Sequence, residues 1–85
     1  MRYTHKNKGT CSQCVSFDME DDGIITNISF EGGCHGNLQG IAALGEGLSA
    51  DKLIDALKGI KCGFKSTSCP DQLADAVHIA KTGNI

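Results

Sequence analysis

Two stretches near the start of the chain alternate apolar and polar residues with a period of two. Between 11 and 19 the apolar side chains fall on odd positions, and between 24 and 30 they fall mostly on even positions. Ile25 interrupts the polar face of the second stretch. Such alternation is typical of strands that bury one face. The pattern therefore predicts two amphipathic strands, and a third, short strand is indicated at 2–8.

The dipeptide Asp22-Gly23 lies between these strands and is a strong signal for a tight hairpin turn. If these two residues form the loop, both apolar faces fall on the same side of the sheet. A longer loop would shift the register. The pairs predicted by the two-residue loop are Phe17 with Ile28, Val15 with Phe30, and Cys11 with Cys34.

Apolar residues recur at helical spacing in the second half of the chain. The first helix is expected to begin at Asn37, a suitable N-cap, and to end near 45–47. A second helix is predicted over 50–58 with Ser49 as its N-cap, and a last helix over 70–81. Strands followed by helices predict one α+β domain with an antiparallel sheet of two or three strands.

The segment 61–74, KCGFKSTSCPDQLA, combines a helix start with two cysteines. Pro70 suits the first helical position, where its missing N–H costs nothing. Cys69 is then the predicted N-cap, because the residue before proline favours extended backbone angles. A thiol at the positive end of a helix is favoured as thiolate, the form that binds metals or attacks disulfides.

The charge and cysteine content limit the classes of function. The net charge of −2 gives no reason to expect nucleic-acid binding. No apolar run approaches membrane-spanning length, and the polar start MRYTHKNKGT has no signal-peptide core, so a cytoplasmic protein is expected. Cysteines in a reducing compartment indicate metal or redox chemistry, and the odd number of five excludes complete pairing.

Four of the cysteines are predicted to converge on one metal ion, with zinc as the expected metal. The predicted turn brings Cys11 to Cys34, while Cys62 lies a short loop before Cys69. The alternative is that these residues are small buried hydrophobes. Cys14 is expected on the opposite, polar face of its strand, since an odd offset from Cys11 reverses the side chain.

Other polar groups near these cysteines have simpler explanations. His35 adjoins Cys34 and is the reserve metal ligand, although a polar loop residue is the favoured interpretation. Ser12 and Ser16 share the even, polar face predicted for Cys14. The glycines around Lys61 and Lys65 do not form a P-loop, so a solvated basic loop is expected there.

The order of residues also carries a family resemblance. Residues 67–71 spell TSCPD, and the glycine-flanked blocks at 32–37 and 59–63 contain Cys34 and Cys62. Over roughly 10–80 the chain resembles the TSCPD domain family, which includes small stand-alone proteins and a C-terminal module of cobalamin-dependent ribonucleotide reductases. The resemblance implies a metal-binding module with a ribonucleotide reductase or another protein as partner. A chain of 85 residues is too small to enclose that reaction alone.

A second resemblance concerns the fold. Two strands, a cysteine before a helix and a late cysteine before the last helix are similar to the NifU/IscU-type iron–sulfur scaffold. Cys11, Cys34 and Cys69 match the three cysteines of that family in order. The chain departs from it at Ser68, where the family has histidine, and at Cys62, which has no counterpart. The alternative function implied is an iron–sulfur cluster scaffold or thiol carrier.

Overall fold

The computed structural model describes residues 1–10, 12–33 and 35–83, without the side chain of His35. Three strands form one antiparallel sheet in the order β1-β2-β3, and three helices follow. The predicted α+β class is confirmed. The elements are β1 (Arg2–Lys6), β2 (Ser12–Met19), β3 (Ile25–Gly32), α1 (His35–Gly45), α2 (Ala50–Leu57) and α3 (Cys69–Thr82).

The core lies between the sheet and the helices. Helix α1 packs against β3, α3 packs against β1 and β2, and α2 packs against α3. Val15 and Phe17 on the central strand are fully buried, and the Tyr3 ring stacks on Phe17 with centroids 5.6 Å apart. Leu53 and Leu73 bring the apolar faces of α2 and α3 into the same cluster. Removal of this apolar surface from water is the main source of stability for so small a chain.

The turn between β2 and β3 has three residues, so the prediction of a two-residue loop is wrong. The Glu20 N–H donates to the Ile24 carbonyl at 3.0 Å, and the Gly23 N–H donates to the Glu20 carbonyl at 2.9 Å. Gly23 is the last residue of the loop, and its φ of +83° lies in the left-handed region that favours glycine. A three-residue loop of this kind is a common alternative to the two-residue turn.

A β-bulge in β3 compensates for the longer loop. Between Ser16 and Asp18 the ladder contains one extra residue on the β3 side, and Asn27 there has φ of +53°. Beyond the bulge Val15 pairs with Phe30, as predicted. The predicted pair of Phe17 with Ile28 falls within the bulge and is absent from the ladder formed by these described strands.

The bulge also explains why Ile25 interrupts the alternating pattern. Ile25 and Ile28 are both buried, although an odd offset in a regular strand places side chains on opposite faces. The extra residue at Asn27 reverses the alternation, so both isoleucines contact the core. The Ile25 side chain is therefore a core residue and not a break in a polar face.

A second irregularity lies at the other end of the hairpin, between Ser12 and Cys14. Ser12 is 2% exposed, so its predicted place on the polar face is wrong, because the extra residue on β2 reverses its direction. Cys14 is half-buried beside Thr4 and Ser16, on the face predicted for it. The predicted pairing of Cys11 with Cys34 lies outside the described residues.

The start of α2 agrees with the capping signal in the sequence, whereas the start of α1 does not. Ser49 caps α2 as predicted, and its side chain accepts from the Lys52 N–H at 3.2 Å. Helix α1 ends at Gly45 as expected but begins at His35, so the prediction of Asn37 as its N-cap is wrong. None of the helices formed by the described residues is long and apolar enough to cross a membrane.

Candidate functional site

Helix α3 is capped by Ser68, and the prediction of Cys69 as N-cap is wrong by one residue. The Ser68 Oγ accepts from the Asp71 N–H at 3.2 Å, while its own hydroxyl donates to the Ile60 carbonyl at 2.6 Å. A serine hydroxyl is a stronger acceptor than a thiol and so takes the cap position. Cys69 becomes the first helical residue and Pro70 the second, still in the turn that tolerates proline.

The Asp71 carboxylate fixes the loop that precedes α3. Its Oδ2 accepts from the Thr67 hydroxyl at 2.5 Å, and its Oδ1 accepts from the Gly59 N–H at 2.7 Å. The hydrogen bond from Thr67, and after it the one from Gly59, lowers the pKa of Asp71, although burial alone would raise it. The positive charges of Lys58 and Lys61 also lower this pKa. Both ends of the segment 59–67 are thereby attached to the first turn of α3.

Gln72 connects the same turn to the N-terminal segment of the chain. Its Nε2 donates to the Thr67 Oγ1 at 3.1 Å. Its Oε1 accepts from the Lys8 N–H at 3.2 Å and lies 3.2 Å from the His5 Nε2. The residue is only 8% exposed, so these directed hydrogen bonds replace lost contacts with water. Residues far apart in sequence are therefore held at one place by a single amide.

The Cys69 thiol is buried against the start of β2. Its Sγ lies 2.9 Å from the Ser12 Oγ, and the residue is 7% exposed. The Ser12 Oγ also receives a hydrogen bond from the Asn7 Nδ2 at 2.8 Å, and the Thr10 hydroxyl donates to the Ser12 carbonyl at 2.9 Å. The thiol is thus positioned by the bulged end of the sheet and by the first turn of α3.

A pocket of about 380 Å³ opens beside this thiol. It lies between helix α1 and the loop 59–67, and Cys69 and the exposed Cys62 both line it. The loop is held locally by the Cys62 N–H, which donates to the Thr67 carbonyl at 3.2 Å. The lining residues are Thr10, Asn37, Leu38, Ile41, Ile60, Lys61, Cys62, Lys65, Ser68, Cys69 and Pro70.

Two of the four predicted metal ligands, Cys62 and Cys69, therefore face one pocket. The other two, Cys11 and Cys34, lie outside the described residues, as does the side chain of the reserve ligand His35. Within 1–10, 12–33 and 35–83 there is no group of three or more histidine, cysteine or acidic residues that could hold a metal ion. The four-cysteine site accordingly stays a prediction.

The sequence contained a signal for the cap that the cysteine-centred interpretation overlooked. Ser68 and Asp71 are spaced as in a capping box, in which a hydroxyl is followed three residues later by an acidic side chain. Ser68 performs the expected half of that motif, whereas the Asp71 carboxylate binds Gly59 and Thr67. Gln72 and Ser12 have no comparable local signature, because their partners are distant in sequence.

The five residues of the signature 67–71 thus have different structural roles. Thr67, Ser68 and Asp71 supply hydrogen bonds, Pro70 occupies the first turn, and Cys69 faces the pocket. No curated protein and no solved structure matches the chain. The family model of the TSCPD domain matches residues 1–81 of the 85. The chain therefore belongs to the TSCPD domain family.

Proposed function

We propose that the protein is a metal-binding module that holds zinc through Cys11, Cys34, Cys62 and Cys69. The observation that carries the proposal is that Cys62 and Cys69, from a loop and a helix start, line the same pocket. Thr10, which directly precedes Cys11 in the chain, lines that pocket as well. The proposed site would join the sheet, the loop and α3 through one ion.

The chemistry of the donors fits zinc. Thiolates are soft ligands and four of them satisfy a closed, structural zinc site. Cys69 lies at the first position of α3, where the helix dipole favours a negatively charged sulfur. A bound zinc ion would cross-link the sheet, the loop and α3, which adds stability that a small apolar core cannot supply alone. Zinc itself would not be oxidised or reduced. The protein residues orient the ligands: Ser12 contacts the Cys69 thiol, and Asp71 holds the loop that carries Cys62.

Metal analysis of the full chain, purified without oxygen, tests the proposal. We expect one zinc per chain and a colourless protein, and Cys69→Ser or Cys62→Ser should lower the zinc content well below one equivalent. Cys14→Ser is the matched control, since Cys14 lies beside Thr4 and Ser16 away from the pocket. A metal-free chain, or equal loss of zinc in the Cys14 variant, would contradict the assignment. A brown protein with iron and sulfide would favour the iron–sulfur scaffold.

We further propose that the module serves a ribonucleotide reductase as its partner. The support is membership of the TSCPD domain family, together with the resemblance of the signature 67–71 to the C-terminal module of cobalamin-dependent reductases. The test adds the zinc-loaded chain to such a reductase from which the C-terminal module has been removed. Restored turnover supports the role. The role is contradicted if the added chain does not bind the truncated reductase and leaves its turnover unchanged. The Cys69→Ser variant should not restore turnover.

A further inference from the structure

The pocket beside Cys69 has an apolar surface that extends onto an exposed loop. Leu38, Ile41 and Ile60 line it, and Ile60 remains 43% exposed. Phe64, on the same loop, is fully exposed to solvent. Large apolar side chains grouped around a concavity, and not scattered singly, are a feature of surfaces that bind other molecules.

The charge at this surface is positive although the chain as a whole carries −2. Lys61 and Lys65 line the pocket, and no acidic residue lines it within the part of the chain that the structure describes. Neither lysine forms a salt bridge there, whereas Lys58 and Lys81 are paired with aspartates on α3 and α2. The two pocket lysines are thus available to carboxylates from another molecule.

We propose that this pocket docks an acidic segment of a partner protein that carries an apolar anchor residue. The anchor would contact Ile60 and Ile41, and flanking carboxylates would meet Lys61 and Lys65. Charge complementarity of this kind steers encounter and excludes wrong partners. The proposal rests on the proposed function only in assuming a protein partner, and it names the chemistry by which that partner is recognised.

A second copy of the chain is the less suitable occupant. Two copies related by a twofold axis would present the same lysines, Lys61 and Lys65, to each other, and like charges across an interface are unfavourable. The acidic hairpin turn at Asp21 and Asp22 borders a different cavity. A contact between that turn and the pocket lysines would join unlike surfaces and produce rings or open chains of molecules, not a closed pair. An unrelated acidic segment avoids both difficulties.

The test is selection of binders from a displayed library of random 12-residue peptides against the full chain, with and without added zinc. We expect recovered peptides to combine aspartate or glutamate with leucine, isoleucine or phenylalanine. A fluorescent copy of the strongest peptide should bind at least tenfold more weakly to the Lys61→Glu/Lys65→Glu variant, and more weakly in high salt. Recovery of basic or uncharged peptides only would overturn the proposal.

Two controls separate charge at the pocket from charge in general. The Lys6→Glu/Lys52→Glu variant makes the same change in net charge at exposed positions outside the pocket lining, and it should bind the peptide normally. An equal loss in this variant would overturn the docking site. Ile60→Ser should also weaken binding without any change in charge. If a photo-crosslinking copy of the peptide attached to residues outside the pocket, that result would also contradict the docking site.

Zinc content measured in every variant keeps the two proposals distinguishable. Peptide binding lost in the Lys61→Glu/Lys65→Glu variant with zinc retained supports docking as a separate property of the surface. A chain that binds the peptide at the pocket but never holds zinc would retain the docking site and refute the metal site. A chain that holds zinc but selects no acidic peptide would refute the docking site alone.

Discussion

Helix α3 is held by one kind of interaction along its length and by another kind at its N-terminus. Along most of its length, Leu73 and Val77 are fully buried in the apolar core. At its N-terminus, Ser68, Asp71 and Gln72 make directed hydrogen bonds to distant segments. Apolar burial depends on area more than on direction, whereas hydrogen bonds weaken steeply when misaligned. The first region therefore supplies stability, and the second fixes where Cys69 lies.

The largest expected effect comes from the apolar region. Leu73→Ala should lower the free energy of unfolding by about 2–5 kcal/mol, because it leaves a cavity at a fully buried position. Chemical denaturation followed by circular dichroism measures this change. Leu44→Ala is the matched control, since Leu44 is 81% exposed, and its effect should stay within about 0.5 kcal/mol. If Leu73→Ala and Leu44→Ala lowered the free energy of unfolding equally, Leu73 would not be a core residue.

A smaller but more local effect is expected at Asp71. Asp71→Asn keeps the shape of the side chain but turns one acceptor into a donor opposite Thr67 or Gly59. We expect a loss of about 1–3 kcal/mol in the free energy of unfolding, since a buried group loses its partner. Limited proteolysis should also cut the loop 59–67 faster than in the unaltered chain.

The control for this loop experiment is Asp55→Asn, an exposed change on α2. It removes the same charge without touching the loop and should leave both stability and cleavage nearly unchanged. Faster cleavage in both variants would show that net charge, and not the hydrogen bonds of Asp71, controls the loop.

The pH dependence of stability sharpens the assignment of Asp71. Its pKa in the folded protein is lowered, mainly by the Thr67 hydroxyl and the Gly59 N–H. A lowered folded pKa gives stability that is fully present above the unfolded pKa of about 3.9 and is lost as pH falls through the folded pKa. The difference in unfolding free energy between the unaltered chain and Asp71→Asn should therefore shrink below about pH 4. A constant difference would contradict the carboxylate's role.

The extent to which the sequence predicted the fold differs between strands and turns. Apolar periodicity located the strands, and the Val15–Phe30 pair is correct. The loop length was wrong because Gly23 suits both a two-residue turn and the left-handed position that ends a three-residue loop. The bulge at Asn27 then restored the predicted register of the Val15–Phe30 pair. A bulge cannot be predicted from period-two alternation, because that pattern assumes a regular strand.

The candidate site shows a similar division between local and distant signals. The cap by Ser68 was readable from the spacing of Ser68 and Asp71, which is a local pattern. The contact of Gln72 with Lys8 depends on how α3 packs beside the N-terminal segment, so nothing near Gln72 in the sequence indicates it. Cys62 and Cys69 line one pocket, and their prediction as ligands of one metal ion, which rested on the short loop between them, stays a prediction.

The smallest expected effect separates the cap from the thiol next to it. Ser68→Ala removes the acceptor for the Asp71 N–H and should lower the free energy of unfolding by about 1 kcal/mol. Ser68→Thr keeps a hydroxyl and should recover most of that loss, while Ser66→Ala, at an exposed position in the same loop, should have little effect. If Cys69 were the true cap, Ser68→Ala would behave like Ser66→Ala and Cys69→Ala would carry the loss. Thermal unfolding of the metal-free chain makes this comparison directly, because any contribution of zinc binding to stability is then absent.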